Sequence, residues 1–202
     1  MEALEAILTR RSTRKYSEQM PRRDLLEKII EAGRYAPSGS NSQKTHFIVI
    51  TEERILSELA LIVQNEFLKM EITEDMYVSL KGSITAAKKG GYVFYYGAPV
   101  LIVVANRKGY GNAMADSACA LENMMIAANA LDLGSCWINQ LHWLDENIRV
   151  RTFLENYGLL EEETITGGLI LGYPSSGVVE RTMTERKGNP VTWVLGENIS
   201  GK

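Results

Sequence analysis

The chain has 202 residues, of which 45% are hydrophobic, and this is enough for one globular domain with a sizeable core. Its net charge of −3 provides no basic field for nucleic acid, so we expect no nucleic-acid partner. No stretch approaches the roughly 20 apolar residues that a membrane helix needs, and the charged N-terminus predicts no signal peptide.

Two helices are predicted at the start of the chain. Leu4, Ile7 and Leu8 recur at helical spacing and predict one apolar face of a short first helix. A second helix, with an apolar stripe, begins near Pro21 and ends near Gly33.

Four cations stand among the seven residues 10–16, which we call the basic stretch. One interpretation is that its arginines complement the negative end of the first helix dipole and are otherwise solvated. The other is a phosphate clamp, because the guanidinium fork matches phosphate oxygens and Ser12 adds a hydroxyl donor. A basic run in an acidic protein favours the clamp slightly.

The second helix leads into residues 36–46, which we call the polar loop, and then into a strand at 47–50. Pro37 and Gly39 break regular structure, while its Ser, Asn and Gln side chains both donate and accept hydrogen bonds. No carboxylate lies within the loop, so it suits a ligand that carries many acceptor oxygens. The alternative is an ordinary helix-to-strand loop with a local side-chain turn.

An amphipathic helix is predicted at 52–63, followed by a polar segment that is helical in places. That segment ends in an aromatic cluster that contains Tyr92, Phe94 and Tyr95. The cluster is either a packed edge of the core or a stacking surface for a flat aromatic substrate.

The remaining predicted elements alternate between strands and helices. A helix at 112–133 is apolar on nearly every face, which is typical of a helix buried in the domain or at a subunit interface. A second basic cluster at 181–187 precedes an apolar tail at 191–195, which we expect to be strand-like and packed on this chain or on a partner. The others are strands at 100–105, 135–140 and 164–171 and a helix at 144–157.

The sequence lacks the motifs for redox-active thiols, for zinc binding and for catalysis by a side-chain nucleophile. Cys119 and Cys136 form no CxxC pair and are predicted to be buried thiols, which favours a reducing, cytoplasmic setting. His46 and His142 match no familiar zinc arrangement, so no metal site is predicted. Without a GxSxG or Walker A motif, no side-chain nucleophile is evident, and a cofactor is favoured as the reagent.

Two motifs at the start of the chain, residues 10–16 and 36–43, resemble the N-terminal signature of the FMN-dependent nitroreductase family. Residues 133–138 and 171–174 are similar to later motifs of that family, in the right order, as are the terminal Arg186 and Lys187 with Trp193. The resemblance extends over essentially the whole chain.

The resemblance implies an α+β fold in which helices surround a mainly antiparallel central sheet. It implies one FMN-binding domain over 1–202, with 64–97 as a variable lid or substrate-site insertion and 190–202 as a C-terminal arm. It also implies an intertwined homodimer with FMN at the subunit interface.

The family's functional residues can be transferred position by position. Arg10, Ser12 and Arg14 would hold the phosphate and ribityl chain, with Arg11 helping through its backbone. The other cofactor-binding positions are Pro37, Ser38, Gly39 and Asn41 from the second subunit, Trp137, Ile138 and Asn139 beside the ring, and Arg186 or Lys187 at the phosphate.

The activity implied is reduction of nitroaromatics, quinones or similar electron-poor acceptors with NAD(P)H, by ping-pong hydride transfer. The flavin N5 would carry the hydride, so no catalytic side chain is predicted. Alternatives on the same framework are reductive dehalogenation and flavin fragmentation, and a non-catalytic flavin-binding module is the alternative from another class.

Overall fold

The computed structural model describes residues 1–194. The helices in this range are α1 (Ala3–Thr9), α2 (Arg23–Arg34), α3 (Glu53–Leu68), α4 (Val78–Lys89), α5 (Ala113–Ala130), α6 (Gln140–Trp143) and α7 (Ile148–Glu155). The strands are β1 (His46–Ile50), β2 (Val100–Arg107), β3 (Gly134–Ile138) and β4 (Glu163–Gly172). None of these helices is both long enough and apolar enough to cross a membrane.

The four strands form one sheet in the order β1-β2-β4-β3, and every neighbouring pair is antiparallel. Along β2, Leu101 and Val103 pack into one hydrophobic core, while Ile102 and Val104 pack into the core on the opposite face. Because successive side chains alternate across a sheet, a strand covered on both faces has no polar side. The predicted α+β architecture with an antiparallel sheet surrounded by helices is confirmed.

Helix α5 covers one face of the sheet. Its Leu121, Met124 and Ala128 lie in the second core, whereas Met114 is exposed on the same helix. Cys119 is also exposed, so the prediction that both cysteines are buried is wrong for Cys119 and correct for Cys136.

The apolar face predicted for α1 exists, but it points away from the core. Leu4, Ile7 and Leu8 are 73%, 46% and 55% exposed, while Ala6 and Thr9 are buried. Helix α1 packs on α5 by the side that carries Ala6 and Thr9, where the Asn129 amide of α5 donates to the Ala6 carbonyl and to the Thr9 hydroxyl. An unpartnered apolar stripe is therefore left on the surface.

The helix predicted at 144–157 is present as α7, but it is shorter and begins at Ile148. The Asn147 side chain caps α7 by accepting hydrogen bonds from the amides of Arg149 and Val150. Asp145 is drawn to the sheet instead, where its carboxylate accepts from the Ile165 amide at 2.7 Å and lies 3.2 Å from Arg151.

The strand predicted in the C-terminal tail is absent from its described part, while packing of the tail on a partner stays a prediction. Residues 191–194 form no strand, and Trp193 and Val194 are 77% and 94% exposed. Upstream, Arg181 holds the segment to the domain by donating to the Asn129 carbonyl and pairing with Asp132. The rest of the predicted 190–202 arm, from residue 195 onward, lies outside the described residues.

We expect Gly134→Ala to destabilise the fold by about 1–3 kcal/mol, the usual cost of overpacking. A Cβ at this position would lie 2.7–2.8 Å from three atoms of the Thr13 side chain, which is too close without a shift. Urea denaturation measures the loss. Gly82→Ala in α4 is the control, because its Cβ meets no atom within 4 Å; equal stability of both variants would contradict the prediction.

Candidate functional site

The basic stretch is held in place by backbone pairing with the edge of the sheet. The Thr13 amide donates to the Ser135 carbonyl at 2.8 Å, and residue 12 forms an isolated parallel bridge to the same residue of β3. Tyr16 bridges to Pro174, and its hydroxyl donates to the Thr13 carbonyl at 2.6 Å. These contacts position the arginines beside β3 although they lie in irregular structure.

Two of these arginines keep unused donors. The Arg10 Nε lies 3.4 Å from a Glu122 carboxylate oxygen, but it is buried and makes no hydrogen bond. Arg14 is exposed, and its guanidinium carbon lies 5.9 Å from the centre of the Tyr96 ring. Ser12 is exposed as well. The predicted clamp residues Arg10, Ser12 and Arg14 therefore lie on one segment with free hydrogen-bonding capacity.

Arg11 has a different environment from its neighbours. Its guanidinium donates to the Thr184 hydroxyl at 3.1 Å and to the Thr182 carbonyl at 3.5 Å. These bonds bring the C-terminal segment to the basic stretch, two residues before Arg186. Within residues 1–194, Arg186 and Lys187 are exposed and make no side-chain hydrogen bond, so their predicted phosphate contact stays a prediction.

A cavity of about 860 Å³ opens beside β3, and we call it the β3 cavity. Five of the predicted site residues line it, namely Arg14, Tyr92, Trp137, Ile138 and Asn139. They come from the basic stretch, from the segment after α4 and from the end of β3 with the residue that follows it. The fold thus unites residues that are more than a hundred positions apart.

The turn after β3 is fixed by its own side chains and by a close approach to β4. The Trp137 Nε1 donates to the Asn139 side-chain oxygen at 2.7 Å. A Cβ on Gly167 of β4 would lie 2.9 Å from that Trp137 nitrogen. Glycine in this strand therefore makes room for the indole ring, as a glycine inside a strand often does for a close neighbour.

The aromatic cluster divides between the core and the cavity. Phe94 is fully buried and Tyr95 is 8% exposed, and both lie in the first hydrophobic core. Neither lines the β3 cavity, so Tyr92 is the one member of the predicted substrate set that does. Tyr96 also lines the cavity, and its positive φ of 54° turns the chain there.

Further residues at the cavity were not predicted from the sequence. Ser83 and Lys89 of α4 line it, as does Gln140 at the start of α6. Ser83 and Lys89 occur in a segment whose helical pattern is weak, whereas Gln140 directly follows the predicted turn. Burial raises the pKa of the Tyr92 hydroxyl, against the lowering effect of its hydrogen bonds to Ser83 and Gln140, so Tyr92 stays a neutral phenol.

The polar loop lines a second cavity of about 700 Å³, which we call the loop cavity. Pro37, Ser38 and Asn41 line it, and the two cavities share no lining residue. Gly39 lies in the same loop without lining the cavity. Within one chain, the two predicted parts of the site are therefore separate.

The polar loop is tied to α5 by a carboxylate from outside the loop. The Gly39 amide donates to Asp116 Oδ1 at 3.0 Å, and the Ser42 hydroxyl reaches Asp116 Oδ2 at 3.4 Å. The Tyr110 hydroxyl donates to the Gly39 carbonyl at 3.2 Å. A Cβ on Gly39 would fall 2.2 Å from the Asn112 amide nitrogen, so a larger residue would require that side chain to shift. The polar loop contains no carboxylate of its own, but the Asp116 carboxylate of α5 lies against it.

The sequence model of the nitroreductase family matches residues 7–173. A nitroreductase with bound FMN from Bacteroides fragilis is 35% identical, with a TM-score of 0.85, over 96% of this chain and 100% of that one. Another with bound FMN, from Desulfitobacterium hafniense, is 25% identical, with a TM-score of 0.77, over 96% and 100%. A curated Archaeoglobus fulgidus protein, with the provisional name NADH dehydrogenase/NAD(P)H nitroreductase, is 28% identical over 86% of each chain.

We expect Asp116→Ala to release the polar loop, because it leaves the Gly39 amide without its acceptor. The cost is about 1–3 kcal/mol of unfolding free energy, and amide hydrogen exchange at Gly39 should accelerate. Asp116→Asn keeps one carbonyl acceptor and should lose less. Asp75→Ala is the control, since Asp75 is exposed and its side-chain partner is Thr73; unchanged exchange at Gly39 in Asp116→Ala would contradict this anchoring role.

Proposed function

Because this chain belongs to the nitroreductase family, as its motifs predicted, we propose that it is an FMN-dependent oxidoreductase. Its electron donor in this proposal is NAD(P)H, and its acceptors are nitroaromatics, quinones or similar electron-poor compounds. The observation that carries the proposal is the β3 cavity, where an exposed arginine, aromatic rings and the turn after β3 converge. The FMN-bound relative at 35% identity supports the same cofactor.

The residues at this edge of the sheet fit the anionic end of FMN. A phosphate oxygen would satisfy the buried Arg10 Nε, which has no hydrogen-bond partner. Ser12 and Arg14 are exposed and offer further donors, and charge-assisted hydrogen bonds to phosphate are among the strong ones. Further positive charge near the phosphate would come from Arg11, Arg186 and Lys187.

The β3 cavity fits the flat ring system. Its volume lies within the range of about 300–1,000 Å³ that is usual for ligand sites. Trp137, Ile138 and Asn139 would lie beside the ring, and Tyr92 belongs to the same wall. When bound, FMN supplies the hydride transfer, from NAD(P)H in one half-reaction and to the acceptor in the other. Arg14 and Lys89 provide positive charge near the negative charge that such a transfer delivers.

The complete site in this proposal needs a second copy of the chain. Pro37, Ser38 and Asn41 line the loop cavity and share no wall with the β3 cavity. Helix α1 exposes Leu4 and its apolar neighbours, and a contiguous exposed apolar surface is typical of an interface. We therefore propose a homodimer in which the polar loop of one subunit, including Gly39, closes over the cofactor held by the other.

We also propose a cytoplasmic setting. Cys119 and Cys136 are free thiols, which is the usual state of cysteines in reducing compartments. NAD(P)H is supplied in the same compartment.

Purified protein should be yellow, or become yellow on incubation with FMN. Anaerobic addition of NADPH or NADH should bleach the flavin, and a nitroaromatic or a quinone should restore the colour. Visible absorbance in a stopped-flow instrument measures both half-reactions. A protein that stays colourless after incubation with FMN contradicts the cofactor, and a bound flavin that neither nucleotide reduces contradicts the enzymatic activity.

Mixed dimers test whether each site draws on two chains. Arg14→Ala and Asn41→Ala homodimers should each bind FMN about tenfold more weakly or worse, because charge-assisted or polar contacts are lost. A heterodimer of the two variants should recover one tight site, formed by the wild-type Arg14 of one chain and the wild-type Asn41 of the other. Titration with FMN, followed by fluorescence quenching, counts the tight sites.

The control for this experiment is Lys15→Ala, which removes a neighbouring charge without a guanidinium fork and should weaken FMN binding less than Arg14→Ala. If both residues served one site from the same chain, the mixed dimer would recover no tight site. That result would overturn the composite arrangement but not FMN binding.

A further inference from the structure

A cluster of three polar side chains lies in the β3 cavity and has no role in holding FMN as proposed above. The Tyr92 hydroxyl donates to the Ser83 hydroxyl oxygen at 2.9 Å. The Gln140 amide nitrogen donates to the Tyr92 hydroxyl oxygen at 3.0 Å and to the Ser83 oxygen at 3.3 Å. All three residues line the cavity, and we call them the amide cluster.

The amide cluster is rigid. Ser83 and Gln140 are each 6% exposed. The Tyr92 backbone amide donates to the side chain of Gln64 at 2.6 Å, and the Tyr92 ring packs 6.2 Å from the Phe67 ring. The side chains are thus held from α3, α4 and α6 together.

The hydrogen-bonding capacity of the cluster is not exhausted. Both amide hydrogens of Gln140 are used, but its Oε1 is buried and has no hydrogen-bond partner among residues 1–194. The Ser83 oxygen accepts two hydrogen bonds, so its own hydrogen is free to be donated. A buried acceptor without a partner is unfavourable unless a ligand pairs with it. Two residues that line the cavity therefore carry one acceptor without a partner and one hydroxyl hydrogen that is free to be donated.

We propose that the amide cluster recognises a primary carboxamide on a flat ring, and specifically the carboxamide of the nicotinamide in NAD(P)H. A carboxamide presents N–H donors to the Gln140 Oε1 and a carbonyl acceptor to the Ser83 hydroxyl. The proposal rests on the proposed function, in which NAD(P)H and the acceptor use the same cavity in turn.

The acceptor classes in the proposed function do not complement the cluster. Nitro groups and quinone carbonyls carry acceptors without donors, so they leave the Gln140 Oε1 unpaired. A site built to hydrogen-bond a substrate group discriminates strongly against ligands that lack it. The amide cluster is thus a specificity determinant for the electron donor.

Equilibrium binding to the protein as purified tests the inference without turnover. Nicotinamide and 3-acetylpyridine have similar shapes, but the acetyl group has no N–H donor. Saturation-transfer NMR measures the affinity of each, whether or not flavin is bound. Wild-type protein should prefer nicotinamide by about tenfold, as an ordinary hydrogen bond predicts, and Gln140→Leu should abolish the preference.

A kinetic measurement gives a second readout. The ratio of kcat/KM for NADPH to that for its reduced 3-acetylpyridine analogue should fall about tenfold in Gln140→Leu. Comparing this ratio between wild type and variant cancels the different intrinsic reactivities of the two dinucleotides. The loss should appear mainly as a higher KM for NADPH.

Two further variants keep the test decisive. Tyr92→Phe retains the packed ring but removes the hydroxyl that orients Gln140, so the preference should shrink without disappearing. It also replaces Gln140→Leu if that variant does not fold. Gln19→Leu, the same substitution at an exposed glutamine outside the cavity, should keep the full preference.

The outcomes separate this inference from the proposed function. Suppose that NADPH reduces the bound flavin, but that wild type and Gln140→Leu prefer nicotinamide over 3-acetylpyridine to the same degree. The amide cluster then has no recognition role, and the inference is overturned. If no FMN binds and nicotinamide is still preferred through Gln140, the inference holds while the cofactor assignment fails. If wild type shows no preference for the carboxamide at all, the inference is overturned as well.

Discussion

The pairing of the basic stretch with β3 is the interaction on which the arrangement of the site depends. The amide of Thr13 bonds to the Ser135 carbonyl, and Gly134 leaves the space that Thr13 occupies. This pairing holds cations at the edge of the sheet without a helix or a long strand of their own. The same strand then leads directly into the turn that lines the β3 cavity, so one backbone contact joins the positive end of the site to its aromatic part.

A second constraint is that one chain separates the two parts of the predicted site. Asp116 of α5 fixes the polar loop at the loop cavity, while the basic stretch opens on the β3 cavity. The apolar stripe of α1 has no partner within residues 1–194. The homodimer proposed above would account for both features, because a second copy would cover the stripe and bring its polar loop to the β3 cavity.

The β3 cavity also shows how stability and specificity compete. A protein interior is best filled with apolar side chains, yet the polar residues Ser83 and Gln140 are buried at the wall of this cavity and Tyr92 is partly buried there. A partly satisfied polar network is costly in the absence of a ligand. The role proposed for the Gln140 oxygen in carboxamide recognition would offset this cost when a ligand is bound.

The sequence by itself determined the family, the antiparallel α+β architecture and most elements, because apolar spacing and two linked motifs depend on local pattern. It also singled out residues 137–139, which line the β3 cavity, and the basic stretch beside them. Only the tertiary structure decided that Phe94 is core while Tyr92 faces the cavity, that Asp116 enters the polar loop, and that Gln140 meets Ser83. These facts depend on contacts between residues far apart in the chain, where burial and hydrogen-bond geometry, rather than residue type or spacing, select the neighbours.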